Sequence, residues 1–242
     1  MLELKDICFK RDGKVILDHI SFVLDTNLFV AITGPNGSGK STLAKIIMGI
    51  EKPDSGTIFF DGKDITNLSI HERAKLGISF AFQQPVKFKG ITVYDLLKLS
   101  AGKDVSKKDV CFILKKVGLC ADAYIDRELN SSLSGGELKR IEIATVLLRK
   151  GKLTIFDEPE AGIDLWSFNH LIDVFKNYQK RENTITLIIT HQERILNIAD
   201  QILLLKDGKI AYFGPKNQIM DQLYQDCNCP FMEGGCDYEC RG

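Results

Sequence analysis

The sequence predicts an α/β fold: a mixed, largely parallel sheet core, an antiparallel β subdomain at the N-terminus and a helical subdomain in the middle. Three observations carry this. Short apolar strand-like runs alternate with helical patterns from about residue 110 onward. Two hairpin signals, Asp12-Gly13 and Asp61-Gly62, lie in the N-terminal quarter. A glycine-rich loop follows directly on the apolar run Leu28 to Ile32.

Taken in order, Leu2, Leu4 and Ile7 alternate with polar residues as in a strand, and Val15 to Leu24 contains the strand returning from the first turn. Val110, Ile113, Leu114 and Val117 recur at helical spacing. Leu138, Ile141, Ala144, Val146, Leu147 and Leu148 make a helix apolar on nearly every side, which predicts burial. Leu153 to Phe156 reads as a buried strand, and Leu165, Phe168, Leu171, Ile172 and Phe175 as an amphipathic helix. Thr186 to Ile189, Ile202 to Leu205 and Ile210 to Phe213 are further strands, the last two joined at Asp207-Gly208.

Gly34-Pro35-Asn36-Gly37-Ser38-Gly39-Lys40-Ser41-Thr42 fits G-x-x-x-x-G-K-[ST] in the context that motif requires, strand before and helix after. Glycines let successive backbone N–H groups turn inward around a phosphate, and the helix beginning near Ser41 aims its positive dipole end at the same anion. Lys40 is then the β/γ-phosphate cation and the Ser41 hydroxyl a Mg²⁺ ligand, which makes the fold a P-loop NTPase.

Asp157 and Glu158 close the strand Leu153 to Phe156, at the end of a parallel sheet where ligands bind. Asp157 is placed to hold Mg²⁺ through a water and Glu158 to act as general base toward the attacking water. His191 ends the next apolar strand and is a candidate γ-phosphate sensor; His19, His71 and His170 have no motif around them and read as surface or packing residues.

The 242 residues carry 32 basic and 32 acidic side chains, so the charge balance argues against a nucleic-acid partner. The charged N-terminus has no leader pattern and no stretch approaches ~18 apolar residues, which predicts a cytoplasmic chain whose membrane role, if any, is borrowed from a partner. Of seven cysteines, Cys8, Cys111 and Cys120 sit in apolar contexts that predict core packing. Cys227, Cys229, Cys236 and Cys240 crowd a C-terminal tail, 225–242, appended to a domain of residues 1–224 whose helical subdomain spans about 84–150. Four thiols in fourteen residues match Zn²⁺ or an Fe–S cluster by softness and number, with a tail of free thiols as the alternative.

With Leu133-Ser134-Gly135-Gly136-Glu137 upstream of Asp157-Glu158, the sequence resembles the ABC ATPases over about residues 1 to 220. The resemblance identifies Gln83, with Gln84 as alternative, as the Q-loop residue that senses Mg²⁺ and water. It makes Ala161-Gly-Ile-Asp164 the D-loop and His191 the switch histidine. It also implies a nucleotide-driven head-to-tail dimer, in which Ser134, Gly135 and Gly136 of one copy cover the γ-phosphate of ATP-Mg²⁺ held by the other. Arg11 stands where the family stacks an aromatic on adenine, with Phe9 as a substitute.

Ala81-Phe-Gln-Gln-Pro-Val86 and Ser134-Gly-Gly-Glu137-x-Lys139-Arg140 further resemble SufC, the iron–sulfur assembly ATPase, which implies a soluble SufB/SufD-like scaffold as partner. The proline in Asp157-Glu-Pro159-Glu160 is closer to transporter subunits, whose partner is a transmembrane permease.

Overall fold

The computed structural model describes residues 1–220 apart from 85–87, 89, 103–104, 131–132 and 181, and gives the backbone alone at 165, 166 and 179. The chain begins with a hairpin of β1 (Leu2–Arg11) and β2 (Lys14–Leu24), then β3 (Leu28–Thr33), which leads into α1 (Lys40–Met48). A second hairpin, β4 (Ser55–Phe60) and β5 (Lys63–Asp64), is followed by α2 (Ile70–Lys75) and β6 (Ile78–Ala81). Four helices come next: α3 (Val93–Ala101), α4 (Lys107–Lys116), α5 (Ala121–Tyr124) and α6 (Gly135–Arg149). β7 (Leu153–Asp157), α7 (Leu165–Gln179), β8 (Ile185–Ile189), α8 (Glu193–Leu196), β9 (Gln201–Lys206) and β10 (Lys209–Pro215) complete the described fold.

The strands form two sheets. One is antiparallel, in the order β2-β1-β4-β5; the other runs β10-β9-β3-β8-β7-β6, parallel from β9 to β6 with β10 antiparallel at the edge. Alternation along β3 shows why the parallel sheet is covered on both faces. Phe29 and Ala31 join the core under the helices, while Val30 and Ile32 join the core shared with α1 and the antiparallel sheet. β7 and β8 are buried at every residue, as central parallel strands require.

Local sequence sets the helix starts. Ser69, Thr92, Ser106 and Ser134 each begin a helix with a reciprocal capping box to Glu72, Asp95, Asp109 and Glu137. The C-terminus of α1 is closed differently. Arg73, 1% exposed, donates to Ile46 O at 2.7 Å and Ile47 O at 2.8 Å, so a buried cation meets the helix's negative end.

The packing corrects one expectation. Cys111 lies half-buried against the helical core, Cys8 is likewise half-buried, and Cys120 is exposed at the N-cap of α5. The apolar neighbours of Cys8 and Cys120 in sequence point to the other side of their elements. Cys227, Cys229, Cys236 and Cys240 lie outside the described residues.

Candidate functional site

The parallel sheet brings the predicted residues to one edge. The phosphate loop leaves the carboxyl end of β3, Asp157 and Glu158 that of β7, Gln83 that of β6, and His191 that of β8.

In the phosphate loop Gly34, Gly37 and Gly39 all take positive φ. At Gly34 a Cβ would lie 1.9 Å from the Leu205 carbonyl oxygen, and at Gly39 2.6 Å from a Leu17 methyl, so these two glycines are required by packing as well as by turn geometry. Pro35, Asn36 and Gly37 are exposed on the outside of the turn. The N-terminus of α1 has no side-chain cap and no acid in its first turn, so its first N–H groups remain available to an anion. Lys40 Nζ donates to Gly34 O at 2.7 Å and Pro35 O at 2.9 Å, and burial lowers its pKa. The buried Ser38 hydroxyl has no hydrogen-bond partner among the described residues, which fits a loop built to receive another acceptor. Thr42 is half-buried on the next turn face.

Ser41 Oγ donates to Asp157 Oδ1 at 3.0 Å, joining two hard oxygen donors of the kind Mg²⁺ takes. Burial pushes the Asp157 carboxyl up, and the Ser41 hydroxyl opposes that shift. The next residue turns away sharply. Glu158 has φ of 44°, a left-handed conformation rare for a residue before proline. This aims its carboxylate at Gln83, whose Nε2 donates to Glu158 Oε2 at 2.5 Å. Gln84 is exposed and makes no such contact. His191 is largely exposed, yet the part of its ring facing the loop is desolvated enough to lower its pKa; repulsion from Lys40 adds to this and attraction to Glu158 opposes it.

Three residues to which the sequence assigns no role at the site, Lys139, Glu142 and Glu160, hold this edge together. Lys139, with no exposed surface, donates to the carbonyls of Phe82, Gln83 (3.3 Å) and Asp157 (3.4 Å) and pairs with Glu142 at 3.5 Å. Glu142 in turn accepts the Phe82 N–H at 2.8 Å, so the peptide before Gln83 is clamped from both sides by α6. Burial raises the Glu142 carboxyl and lowers the Lys139 ammonium. Glu160 accepts the Thr190 hydroxyl at 2.5 Å, fixing the backbone beside His191, and burial raises its pKa. The sequence signal for the clamp is an i, i+3 pair of opposite charges on a helix that also carries Glu137, Arg140 and Arg149.

The signature residues lie apart from this edge. Among the described residues no hydrogen bond links Ser134, Gly135 or Gly136 to the phosphate loop; Ser134 N donates to Glu137 Oε2 at 2.6 Å and Glu137 N to Ser134 Oγ at 3.3 Å. A Cβ at Gly136 would meet Gly162 O at 2.8 Å, so the D-loop packs directly on this helix end. Asp164 Oδ1 accepts the Ser167 N–H at 2.9 Å, capping α7. At the first hairpin Phe9 is buried, 7% exposed, and so is unavailable to a base; Arg11 is exposed, with Nη2 3.4 Å from Glu51.

A sheet of this order with a phosphate loop, a carboxylate pair and a separate Ser-Gly-Gly helix tip defines an ATP-binding cassette. The profile described as ABC transporter matches residues 17–161. An uncharacterised ABC transporter ATP-binding protein of Methanocaldococcus jannaschii is 37% identical over 235 residues, 94% of each chain. A spermidine/putrescine import ATP-binding protein of Mesoplasma florum is 32% identical over 92% of this chain and 63% of its own length. The solved structure of a nucleotide-free ATP-binding cassette from an ABC transporter superposes with a TM-score of 0.78 at 27% identity, covering 93% of this chain and 95% of that one. The chain belongs to the ABC transporter family, and it is an ATPase cassette of that class.

Proposed function

We propose that this chain is the nucleotide-binding and hydrolysing subunit of a membrane transporter, docked on a transmembrane permease at the cytoplasmic face. The observation that carries it is the full-length likeness to an ABC transporter ATP-binding protein, 37% identical over 94% of each chain. No described helix is long and apolar enough to cross a membrane, so the reading requires a partner that is.

In this reading the loop Gly34 to Thr42, through its backbone N–H groups (all but Pro35, which has none), and the Lys40 ammonium hold the ATP phosphates, the ammonium leaving its own loop carbonyls to do so. Ser41, Asp157 and Gln83 would hold Mg²⁺, with the Ser41 and Asp157 oxygens already side by side. Glu158 takes the proton of the attacking water, held in place by Gln83. His191 contacts the γ-phosphate, and Ser134, Gly135, Gly136 and the D-loop with Asp164 complete the site of a second copy. Mg²⁺ supplies charge neutralisation at the transferred phosphoryl group.

A second reading, the SufC-like one with a SufB/SufD-like scaffold, has its own support. The two segments that resemble SufC are tied together in space, because Lys139 bonds the carbonyls of Phe82 and Gln83. The proposed Zn²⁺ or Fe–S occupancy of the tail cysteines belongs to this reading alone. Anaerobic affinity purification from the native host, with detergent-solubilised membranes and the soluble fraction handled separately, distinguishes the two. Recovery of an integral membrane permease is expected; recovery of a soluble scaffold alone overturns the transporter reading.

A further inference from the structure

The antiparallel sheet carries a second cluster of ligating side chains, remote in kind from the hard-oxygen Ser41–Asp157 pair. In β1 the buried positions are Leu2, Leu4, Ile7 and Phe9; in β2 they are Leu17, Ile20, Phe22 and Leu24. Each strand skips one residue where strict alternation would continue. The skipped positions match, because pairing shifts register between Leu4 and Ile7 and again between Ile7 and Phe9. Asp6 and His19 take φ of 55° and 54° there. Facing bulges of this kind re-aim side chains, and the result is that Asp6, Cys8, Asp18 and His19 gather on the outer side of the sheet. Among the described residues, Cys8, Asp18 and His19 are the group whose possible ligand atoms all lie within 4.8 Å of one another.

We infer that Cys8, Asp18 and His19 form a binding site for a borderline divalent cation of the Zn²⁺ class, with Asp6 orienting the imidazole. His19 Nδ1 lies 2.5 Å from Asp6 Oδ1, which fixes the proton on Nδ1 and leaves the Nε2 lone pair free. Nε2 lies 3.7 Å from Asp18 Oδ1. Ligands about 2.0–2.3 Å from one tetrahedral ion sit about 3.3–3.8 Å apart, so this pair is spaced for a shared metal. The Cys8 sulfur is held on the same side by the His19 N–H at 3.4 Å. Lys209 Nζ approaches Asp18 Oδ2 at 3.2 Å, which leaves Oδ1 as the oxygen turned toward the imidazole. A thiolate, an imidazole and a carboxylate together suit Zn²⁺ or Co²⁺ and do not suit Mg²⁺ or Ca²⁺, which take oxygen ligands. On binding, the Cys8 S–H bond breaks, its proton passes to solvent and the sulfur's electron pair goes to the metal. Three protein ligands leave one position for water.

The test uses the full-length chain with Cys227, Cys229, Cys236 and Cys240 replaced by serine, stripped of metal and titrated anaerobically with Co²⁺ and then Zn²⁺. One equivalent of Co²⁺ should bind with a thiolate-to-cobalt charge-transfer band, and Zn²⁺ should abolish the band. Cys8→Ser should remove the band, while His19→Gln and Asp6→Asn each weaken binding by at least about tenfold. A band that survives Cys8→Ser, absence of stoichiometric binding, or unchanged affinity in His19→Gln overturns the inference. His19 and Asp6 are exposed and Cys8→Ser is nearly isosteric, so circular dichroism and ATP binding, which report on folding separately, should be the same in all variants.

Discussion

The two helix N-termini that the proposed function assigns to phosphate are built in opposite ways. At α1 the cap is Gly39, with no side-chain bond to the first turn and no acid within it, and the far end is neutralised by Arg73 and Lys45. Its dipole is therefore open at the positive end. At α6 the cap is Ser134, and Glu137 sits in the first turn, bonded to the Ser134 N–H and to the Tyr124 hydroxyl. Its first N–H groups are partly satisfied and its positive end already faces a carboxylate. The first can hold a polyanion by itself. The second can add a weaker contact only when another group presents the phosphate, which is what assembly around a shared nucleotide would supply.

The largest test of that difference removes the base that ends the shared state. Glu158→Gln should lower ATP turnover by about 10²–10⁴, and size-exclusion chromatography in Mg-ATP should show closed dimers accumulating. Adding Ser134→Ala to that variant should reduce the dimer fraction while leaving the affinity of one chain for ATP unchanged. If Ser134→Ala weakens binding to a single chain as much as dimer formation, the two termini are not separate devices.

Lys40→Ala acts on the other terminus. It removes a cation that is buried against the loop carbonyls. Losing charge-assisted contacts to two phosphates should cost about 3–4 kcal/mol, or about 100- to 1,000-fold in Kd measured by calorimetry. Wild-type affinity would show that the α1 terminus alone suffices.

One buried side chain ties α6 to the ends of β6 and β7. Lys139 lies on α6 yet bonds the peptides of Phe82, Gln83 and Asp157. Lys139→Met would leave Glu142 uncompensated, with a stability loss of about 3 kcal/mol in chemical denaturation. Lys139→Met/Glu142→Gln should recover most of that loss but not the turnover, because the Gln83 backbone stays unclamped. Recovery of both would reduce the clamp to a packing role.

These results also mark what the sequence discloses. The phosphate loop and the carboxylates after β7 are legible because their chemistry needs neighbours in the chain, in fixed order. β6 has no such signal: four residues containing Ser79 give too short an alternation to mark a strand. The clamp was not legible either. Lys139 owes its role to carbonyls about sixty residues upstream, and nothing in a charged pair three apart says that it is buried. Phe9 was offered to adenine and is core, because the bulge in β1 reverses which side of the strand each later residue faces.

The smallest expected effect isolates the carboxylate that distinguishes α6 from α1. The Tyr124 hydroxyl, with smaller help from the Ser134 N–H and hydroxyl, holds the Glu137 carboxyl below its ordinary value. A carboxyl depressed in the folded state stabilises above its unfolded pKa of about 4.3 and loses that contribution as pH falls through the lower folded value. Glu137→Gln keeps the capping geometry and removes the charge. At pH 7 it should lower stability by no more than about 0.5 kcal/mol, since the group is largely solvated and screened. The deficit should close as the pH is lowered past the folded value of Glu137, and salt should shrink it. In the proposed dimer the same substitution takes a negative charge away from the tip that would meet the other copy's γ-phosphate. Dimers of Glu158→Gln should then form at slightly lower ATP concentration when Glu137→Gln is added. Weaker dimers would mean that the carboxylate orients the Ser134 tip more than it repels the phosphate.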